Sequence, residues 1–389
     1  MKSRPRVVVV GAGVGGVTLA AVLTRMGVPC LVFEQAGSLT GAGAGVQLSP
    51  NAIRPLVRLG IGPALSRHAV RIAAMEVRSW QDFPITRTTL GDDCERRFAA
   101  PYYAVHRAHL HEALCLAAGQ APLRFGRQVT GVEERGAGAR VVFADGLTQD
   151  ADLVVGADGI RSVARAVLAS DTLVYSGLAT FRGLVQAGRL PAAARERIVR
   201  VWLGPGKHLV CYPVAGGELV SFAATVPLAA PPSGSAADPA GLRAAFEGWG
   251  GLVPRLIDAA DQVRIWALYD REPLQRWATD RITVLGDAAH PMLPFLAQGA
   301  NQAVEDAMDL AACLVMCDGD VPAALTRYAA LRAPRTAAIQ RQARDHAAAL
   351  HRADGTEQRD RDRALRLASG LDERAWLYDY RAGVVTAPG

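Results

Sequence analysis

A glycine-rich segment near the N-terminus has the spacing of a dinucleotide-binding turn. Gly11, Gly13 and Gly16 form a GxGxxG pattern between the valine run Val7–Val10 and a helical pattern that starts at Val14. In such a turn the first glycine permits a tight bend, the second lets a pyrophosphate approach the backbone, and the third lets helix and strand pack closely. The N–H groups of the helix N-terminus then face the phosphates.

A carboxylate follows at the distance that this kind of site requires. Glu34 ends the next predicted strand about 20 residues later, where it can accept hydrogen bonds from ribose hydroxyls. We assign the neighbouring Gln35 to the same site. The combination predicts a bound dinucleotide but does not distinguish FAD from NAD.

Three later segments indicate that the dinucleotide is FAD rather than NAD, because they resemble the motifs of a known family. Residues 156–162 read Gly-Ala-Asp-Gly-Ile-Arg-Ser, residues 286–291 read Gly-Asp-Ala-Ala-His-Pro, and residues 103–110 include His106 and Arg107. In order and spacing they resemble the single-component FAD-dependent aromatic hydroxylases, a family of flavoprotein monooxygenases. Salicylate and 3-hydroxybenzoate hydroxylases and 6-hydroxynicotinate 3-monooxygenase are its members nearest in pattern. The resemblance covers nearly the whole chain.

The resemblance implies roles for the polar residues of these segments. Asp287 would accept a hydrogen bond from a ribityl hydroxyl, and Arg107 would lie beside the ribityl-phosphate portion of FAD. Asp158 would bind FAD and touch the nicotinamide cofactor; the alternative is a simple turn residue before Gly159. His290 is interpreted as structural, without a role in proton transfer.

Two further segments are expected at the flavin ring. Residues 43–52, which begin at Gly43, would place Val46 and Gln47 beside the ring, while Asn51 can equally be the cap of the following helix. The segment after residue 293 opens a helix whose N–H groups and dipole would face the electron-rich edge of the flavin. The remaining residues assigned to the cofactor are Gly45, Val129, Pro294, Gly299, Ala300 and Asn301.

A histidine and a tyrosine are the candidate catalytic residues. His208 and Tyr212 lie in a predicted strand, where alternation places them with Val210 on one face, roughly 13 Å apart along the backbone. They could hold opposite ends of a small ring, as the corresponding pair does in the family. A histidine has a pKa suited to removing a proton from a ring hydroxyl, which enriches the ring in electrons. A strand histidine satisfied by solvent is the alternative.

The other candidate substrate-binding residues are Gln47, Arg182, Pro294 and Phe295. Gln47 and Phe295 stand where the hydroxynicotinate enzymes have histidines. Pro294 stands where the 3-hydroxybenzoate 6-hydroxylases have a glutamine. The pocket therefore matches neither group of relatives fully, and the substrate stays open between them.

The function implied is that of an FAD monooxygenase. FAD is bound, NADH or NADPH reduces it, and O2 supplies, through a flavin hydroperoxide, the oxygen atom that enters a hydroxybenzoate-like ring. A hydroxylated N-heteroaromatic acid such as 6-hydroxynicotinate is the alternative substrate. A flavin oxidase or reductase and a non-catalytic flavin-binding regulatory module are the rival functions.

The composition of the chain narrows the partners, locations and cofactors that are expected. The chain has 389 residues, 50% hydrophobic and 21% charged, with a net charge of +6 and no long basic run, so no nucleic-acid partner is expected. No apolar run is long enough for a membrane span, and a cytoplasmic enzyme is expected. The six cysteines form no metal-binding or redox spacing, so neither a metal nor a disulfide is predicted. A homodimer is left open.

The pattern of elements predicts an α/β fold with an interrupted dinucleotide unit. A Rossmann-like, three-layer FAD-binding domain over residues 1–75, 100–170 and 275–335 is interleaved with a mainly antiparallel substrate-binding sheet over 76–99 and 171–274. A hairpin is expected between Arg140–Phe143 and Leu153–Val155. C-terminal helices over 336–389 are expected to be exposed or to face a partner, with a kink or break near Pro334.

Overall fold

The structure, a computed structural model, describes residues 4–38, 44–119 and 121–384. The strands are β1 (Val7–Val10), β2 (Cys30–Phe33), β3 (Gly45–Leu48), β4 (Val70–Arg71), β5 (Ala74–Ser79), β6 (Pro84–Thr89), β7 (Tyr103–His106), β8 (Leu123–Arg124), β9 (Val129–Arg135), β10 (Gly138–Phe143), β11 (Thr148–Ala151), β12 (Leu153–Gly156), β13 (Val174–Gln186), β14 (Ile198–Gly204), β15 (Lys207–Val214), β16 (Leu219–Pro227), β17 (Val263–Asp270) and β18 (Ile282–Val284). The helices are α1 (Val14–Arg25), α2 (Pro50–Arg58), α3 (Gly62–His68), α4 (Gly91–Phe98), α5 (Arg107–Ala118), α6 (Pro239–Ala245), α7 (Val253–Ala259), α8 (Gly299–Met316), α9 (Val321–Leu350), α10 (Thr356–Leu367) and α11 (Ala375–Tyr378).

A five-stranded parallel sheet carries the glycine-rich turn. Its order is β18–β12–β1–β2–β8, so the first strand lies at the centre. All four valines of β1 are buried, which is the pattern of a parallel strand covered on both faces. Helices α1, α5 and α8 pack together as one layer, and the sheet β11–β10–β9 supplies the other. Phe143 of that small sheet lies with its ring 4.7 Å from the ring of Phe33.

A seven-stranded sheet forms the second part of the molecule. Its order is β17–β13–β16–β15–β14–β5–β6, and its pairs are antiparallel except for the parallel pair β14–β5. One face is buried under α6 and α7 by large apolar side chains such as Trp202 and Phe222. The opposite face carries Tyr212 and Val210 and packs toward α9 and α11. This opposite face is the one available to a site between the two sheets.

The expected hairpin after β10 has a different partner. Residues Thr148–Ala151 pair with β10 across the turn at Asp145-Gly146, whereas Leu153–Gly156 crosses into the parallel sheet beside β1. The prediction that Leu153–Val155 closes the hairpin was therefore wrong. Two short strands follow each other with one residue between them, and the buried apolar run belongs to the larger sheet.

Helix α9 continues through Pro334, so the expected break there was also wrong. The proline removes one backbone hydrogen bond, but Arg332 and Arg335 on either side of it both bind Glu305 of α8. These contacts hold α8 and α9 together at the position where Pro334 removes a backbone hydrogen bond. The expected boundary at residues 335/336 consequently falls inside one helix.

The C-terminal segment packs on its own chain. Leu377 and Tyr378 are buried, and Arg54 of α2 donates a hydrogen bond of 2.8 Å to the carbonyl oxygen of Tyr380. The expectation of an exposed or partner-facing tail was wrong for this part, because its apolar residues complete the core beside the seven-stranded sheet. The charged residues of this segment are largely exposed, and their pattern led to the prediction of an exposed tail.

The predicted fold class is confirmed: an α/β unit with a parallel sheet is interleaved with a mainly antiparallel sheet and followed by helices. Within the described ranges, no helix combines the length and the apolar character that crossing a bilayer requires.

Candidate functional site

The three motif glycines differ in what surrounds them. A Cβ atom on Gly11, whose φ is +102°, would lie 2.3 Å from the carbonyl oxygen of Ala157, and one on Gly16 would lie 2.1 Å from the carbonyl oxygen of Gly11. Both glycines are therefore required by close backbone packing. No atom of the described residues lies within 4 Å of the corresponding position on Gly13. The turn thus leaves open space at the one glycine that a pyrophosphate would approach.

The end of β2 lies next to this turn. The Glu34 carboxylate accepts hydrogen bonds of 2.8 Å from the backbone N–H groups of Ala12 and Ala36. It is thereby fixed beside the glycine-rich turn with lone pairs remaining for hydroxyl donors. Gln35 is exposed, whereas Val129 and Val14 belong to the buried core of the unit that contains the parallel sheet.

The two aspartates of the glycine–aspartate motifs have different surroundings. Asp158 accepts hydrogen bonds from the Ser162 hydroxyl (2.5 Å) and the Val163 N–H (2.7 Å), and burial raises the pKa of its carboxyl. These bonds are those of a turn residue. Asp287 is exposed and makes no hydrogen bond with any described residue, and its Oδ1 lies 3.7 Å from the Cβ position of Gly299. Its carboxylate is free for a ligand.

Arg107 resembles Asp287 in having a free charged group. It is the first residue of α5, it is exposed, and it forms no ion pair within the ranges that the structure describes. Its backbone N–H donates to the carbonyl oxygen of Ala44, which joins α5 to the start of β3. Gly43, the first residue of that segment in the sequence motif, lies outside the described residues.

The N-terminus of α8 is connected to β3 by a buried amide. Asn301 accepts a hydrogen bond of 2.9 Å from the N–H of Ser49 and donates to the carbonyl oxygens of Gln47 (3.0 Å) and Ala297 (2.7 Å). All of these bonds stay within the protein, so its side chain holds β3 against the helix. Pro294 lies in the short turn before α8. The first N–H groups of the helix, at Gly299 and Ala300, are those that a helix leaves without internal partners.

Asn51 connects α2 to the same helix and does not cap α2. The cap position is Ser49, and the Asn51 amide nitrogen donates to Glu305 (2.6 Å) and Gln298 (3.1 Å). The interpretation of Asn51 as a helix cap was therefore wrong.

β3 also touches the seven-stranded sheet. The Gly45 N–H donates to the Ser221 hydroxyl (3.0 Å), and a Cβ on Gly45 would lie 2.4 Å from a ring carbon of Tyr212. Tyr102 donates a hydrogen bond of 2.8 Å to the Gln47 side-chain oxygen. Burial raises the pKa of Tyr212, opposed first by the charge of Arg182 and then by side-chain hydrogen bonds with Gln47 and Ser221. Tyr212 is thus placed directly beside the segment predicted to contact the flavin.

Sheet register brings Arg182 to the same face as the candidate pair. Arg182 pairs with Ala223, and Ala223 pairs with Val210, which lies between His208 and Tyr212 on β15. The guanidinium lies 5.5 Å from the ring centre of Trp266, and its buried Nε has no partner among the described residues. Burial lowers the pKa of Arg182. Arg182 is therefore a half-buried cation without an ion pair among the described residues, and Tyr212 and Asp287 are the groups that favour its charge.

His208 is buried, with 6% of its surface exposed, and its Nδ1 lies 2.8 Å from Nε2 of His351. Phe295 contacts its ring, with centroids 5.4 Å apart. Burial, followed by His351, lowers the pKa of His208 to about 3. This pKa is well below the neutral range that was expected from the residue type. The expectation was wrong because the burial of His208 cannot be seen in the sequence.

Sequence reasoning missed two groups near the site. Arg165, 2% exposed, donates to the carbonyl oxygens of Ala288 (3.0 Å) and Ala289 (2.6 Å) and so ties together the two glycine–aspartate motifs. His351 was overlooked because it lies 143 residues from His208 in the sequence. The spacing of Arg161 and Arg165 did not indicate this contact in the sequence, because arginines are scattered throughout the chain.

A buried ion cluster supports the helix N-terminus from behind. Arg332 is fully buried and binds Glu305 (2.6 Å) and Asp306 (2.7 Å), while Asp306 also lies 2.6 Å from His290. Burial alone would raise the pKa of Asp306, but His290 and Arg332 hold it at about 2. His290 thus has a hydrogen-bonded structural setting.

No group of side chains within the described ranges could hold a metal ion. All six cysteines are free. The polar features at the predicted cofactor site are instead the charged groups of Asp287 and Arg107, neither of which has an ion pair among the described residues, the N-terminus of α8, and the open turn at Gly13.

Known proteins match nearly the whole chain. The sequence family described as FAD binding domain matches residues 4–343. The 3-amino-4-hydroxybenzoate 2-monooxygenase PtmB3 of Streptomyces platensis is 46% identical over 387 residues, 98% of each chain. The 6-hydroxynicotinate 3-monooxygenase of Pseudomonas fluorescens is 35% identical, covering 89% of this chain and 92% of that one. A solved salicylate hydroxylase substrate complex has a TM-score of 0.83 at 27% identity, covering 98% and 97%.

Proposed function

Because this chain belongs to the FAD-binding family that contains these aromatic-ring monooxygenases, we propose that it hydroxylates a small phenolic aromatic acid. NADH or NADPH is the reductant, and O2 is the source of the oxygen atom. The observation that carries the substrate class is the guanidinium of Arg182, which has no ion pair among the described residues and lies on the sheet face that also holds His208 and Tyr212.

The described residues fit FAD. The open space at Gly13 accommodates the pyrophosphate, and Glu34 is fixed where it can accept ribose hydroxyls. Asp287 and Arg107 carry free charged groups suited to the ribityl and phosphate portions. The N–H groups that begin α8 suit an electron-rich ring edge. FAD supplies the two-electron chemistry with which O2 is activated.

The substrate side would bind the acid and the ring hydroxyl separately. Arg182 would bind the carboxylate, because an unpaired guanidinium in a partly buried position gains most from an anion. His208 would hold the ring hydroxyl, and Phe295 beside it would pack against the ring. Gln47 and Tyr212, which interact with each other, would orient the ring next to β3.

A substrate screen tests the proposal directly. Purified enzyme loaded with FAD is mixed with NADH or NADPH, and cofactor oxidation is recorded with and without each aromatic acid, followed by mass analysis of the product. We expect slow oxidation alone and a large stimulation, with one added oxygen atom, by 3-amino-4-hydroxybenzoate or a related hydroxybenzoate. Equal rates with and without every acid would contradict the proposal. Stimulation by 6-hydroxynicotinate alone would favour the N-heteroaromatic alternative.

Arg182→Gln distinguishes acid binding from ring binding. It should raise KM for the acid substrate while leaving the already weak binding of the corresponding amide unchanged, because only the acid carries the charge that Arg182 would bind. Arg264, the cross-strand neighbour of Arg182, offers the matched control Arg264→Gln, for which KM should not change. An equal rise in KM for acid and amide would argue against carboxylate binding by Arg182.

We further propose a cytoplasmic enzyme that acts without a nucleic-acid or membrane partner. A homodimer is also proposed, and light scattering at several concentrations measures it.

A further inference from the structure

The buried His208 is connected to the C-terminal helices through a second histidine. Nδ1 of His208 and Nε2 of His351 are 2.8 Å apart, so one nitrogen donates its proton and the other accepts it. The two rings are stacked, with centroids 5.0 Å apart, and Phe295 lies edge-on to both. Three packed rings thus hold the pair in one geometry.

The second histidine leads from the interior to the surface. His351 caps the C-terminal end of α9, is half-buried, and is followed by exposed residues 352–354. Its carbonyl oxygen accepts a hydrogen bond of 3.1 Å from the N–H of Gly206, in the turn between β14 and β15. The same turn begins the strand that carries His208. The contact between helix end and turn therefore fixes both rings relative to each other.

We propose that His351 is a positioning residue that accepts a proton from His208 and passes it to solvent, so that the pair forms a relay from the ring hydroxyl of the substrate to the surface. This inference rests on the proposed function, because the relay needs a phenolic substrate at His208.

The relay balances with three proton shifts. The ring hydroxyl gives its proton to Nε2 of His208, which has no partner among the described residues. At the same time Nδ1–H of His208 passes its proton to Nε2 of His351, and Nδ1–H of His351 passes its proton to water. The products are a phenolate, a hydronium ion and two neutral imidazoles in their other tautomers. No electrons move in this step.

The surroundings favour a relay over a single base. Burial lowers the pKa of His208 to about 3 and that of His351 to about 4. Among the described residues, the other charged or titratable groups that act on the pair are His346 of α9 and Arg361 of α10, and none of them is a carboxylate. A histidine of such low proton affinity cannot keep a proton taken from a phenol. It can conduct one if a neighbour removes the proton in the same event.

Substitutions at residue 351 separate a relay from a structural contact. Gln in His351→Gln can still hydrogen-bond to His208 and fill most of the space, but it cannot transfer a proton onward. His351→Ala removes both functions and leaves an opening that imidazole can enter. Arg352→Gln is the control, because Arg352 follows His351 directly, is exposed, and lies 3.7 Å from the carboxylate of Glu357.

Two measurements are made on FAD-loaded protein with 3-amino-4-hydroxybenzoate as the probe. The first is the pH profile of kcat for hydroxylation. The second is the ultraviolet absorbance change of the bound probe after a pH jump, which reports ionisation of its hydroxyl without turnover. We expect His351→Gln to lower kcat and the ionisation rate by about 10²-fold, the lower end of a general-base loss, with FAD content and KM little changed. Imidazole should restore His351→Ala, and Arg352→Gln should behave like wild type.

Two results would overturn the relay. If His351→Gln keeps the wild-type ionisation rate, the contact is structural, and if imidazole leaves His351→Ala unrestored, the path to solvent does not run through residue 351. A wild-type enzyme that binds the probe but does not hydroxylate it would instead count against the proposed function. The two failures are therefore distinguishable.

Discussion

Replacing Gly13 with valine should separate cofactor binding from folding. The φ of Gly13 is −67°, which any residue adopts, and in the part of the chain that the structure describes no atom lies within 4 Å of its Cβ position. The apoprotein should therefore keep its free energy of unfolding within about 1 kcal/mol of wild type. A side chain forced into the space for the pyrophosphate should weaken FAD binding by about 1–3 kcal/mol or more, which is roughly a 5- to 150-fold rise in Kd.

Gly16→Ala is the contrasting control. Its Cβ would lie 2.1 Å from the carbonyl oxygen of Gly11, a backbone atom that cannot move away cheaply. The apoprotein should lose at least about 1–3 kcal/mol of stability from this overlap. Urea unfolding of both apoproteins gives the stability changes, and fluorescence titration with FAD gives Kd. Normal FAD affinity in Gly13→Val would refute the placement of the pyrophosphate at this glycine.

Three further predictions concern the two buried polar clusters. His208→Asn keeps a hydrogen-bonding group but removes the base, so hydroxylation should fall by ~10²–10⁴-fold with FAD content unchanged and more peroxide formed per NAD(P)H; normal rate and coupling would return His208 to a structural role. Because the pKa of His208 is lowered from 6.5 to about 3, folding is favoured fully above pH 6.5 and less as pH falls toward 3. The unfolding free energy of His208→Asn should therefore decline less steeply over that range, by about 1.4 kcal/mol per pH unit, and parallel curves would contradict the burial argument. Arg332→Gln should cost about 3–5 kcal/mol in denaturant unfolding because it leaves Glu305 and Asp306 as buried charges, whereas Arg243→Gln, from an exposed pair with Asp258, should cost at most about 1 kcal/mol.

Local pattern was sufficient for most of the elements. The buried valine run of β1, the glycine turn and α1 follow from periodicity and from residues with special backbone freedom, so they were predictable within a residue or two. The alternation that put His208 and Tyr212 on one face is likewise a property of any strand. Errors arose where two short strands adjoined after residue 147 and where Pro334 interrupted a helical pattern, because sheet partners and helix contacts lie far away in the sequence.

The sequence by itself determined the fold class, the FAD-binding family and the residue types available for catalysis, since these depend on motifs read along the chain. Only the tertiary structure decided the state of those residues. It buried His208 and so lowered its pKa, left the Nε of Arg182 without a hydrogen bond to any described residue, and brought His351 from a distant helix into contact with the site. Desolvation and pairing depend on which elements pack together, and that packing is fixed by contacts across the whole chain rather than by neighbours in sequence.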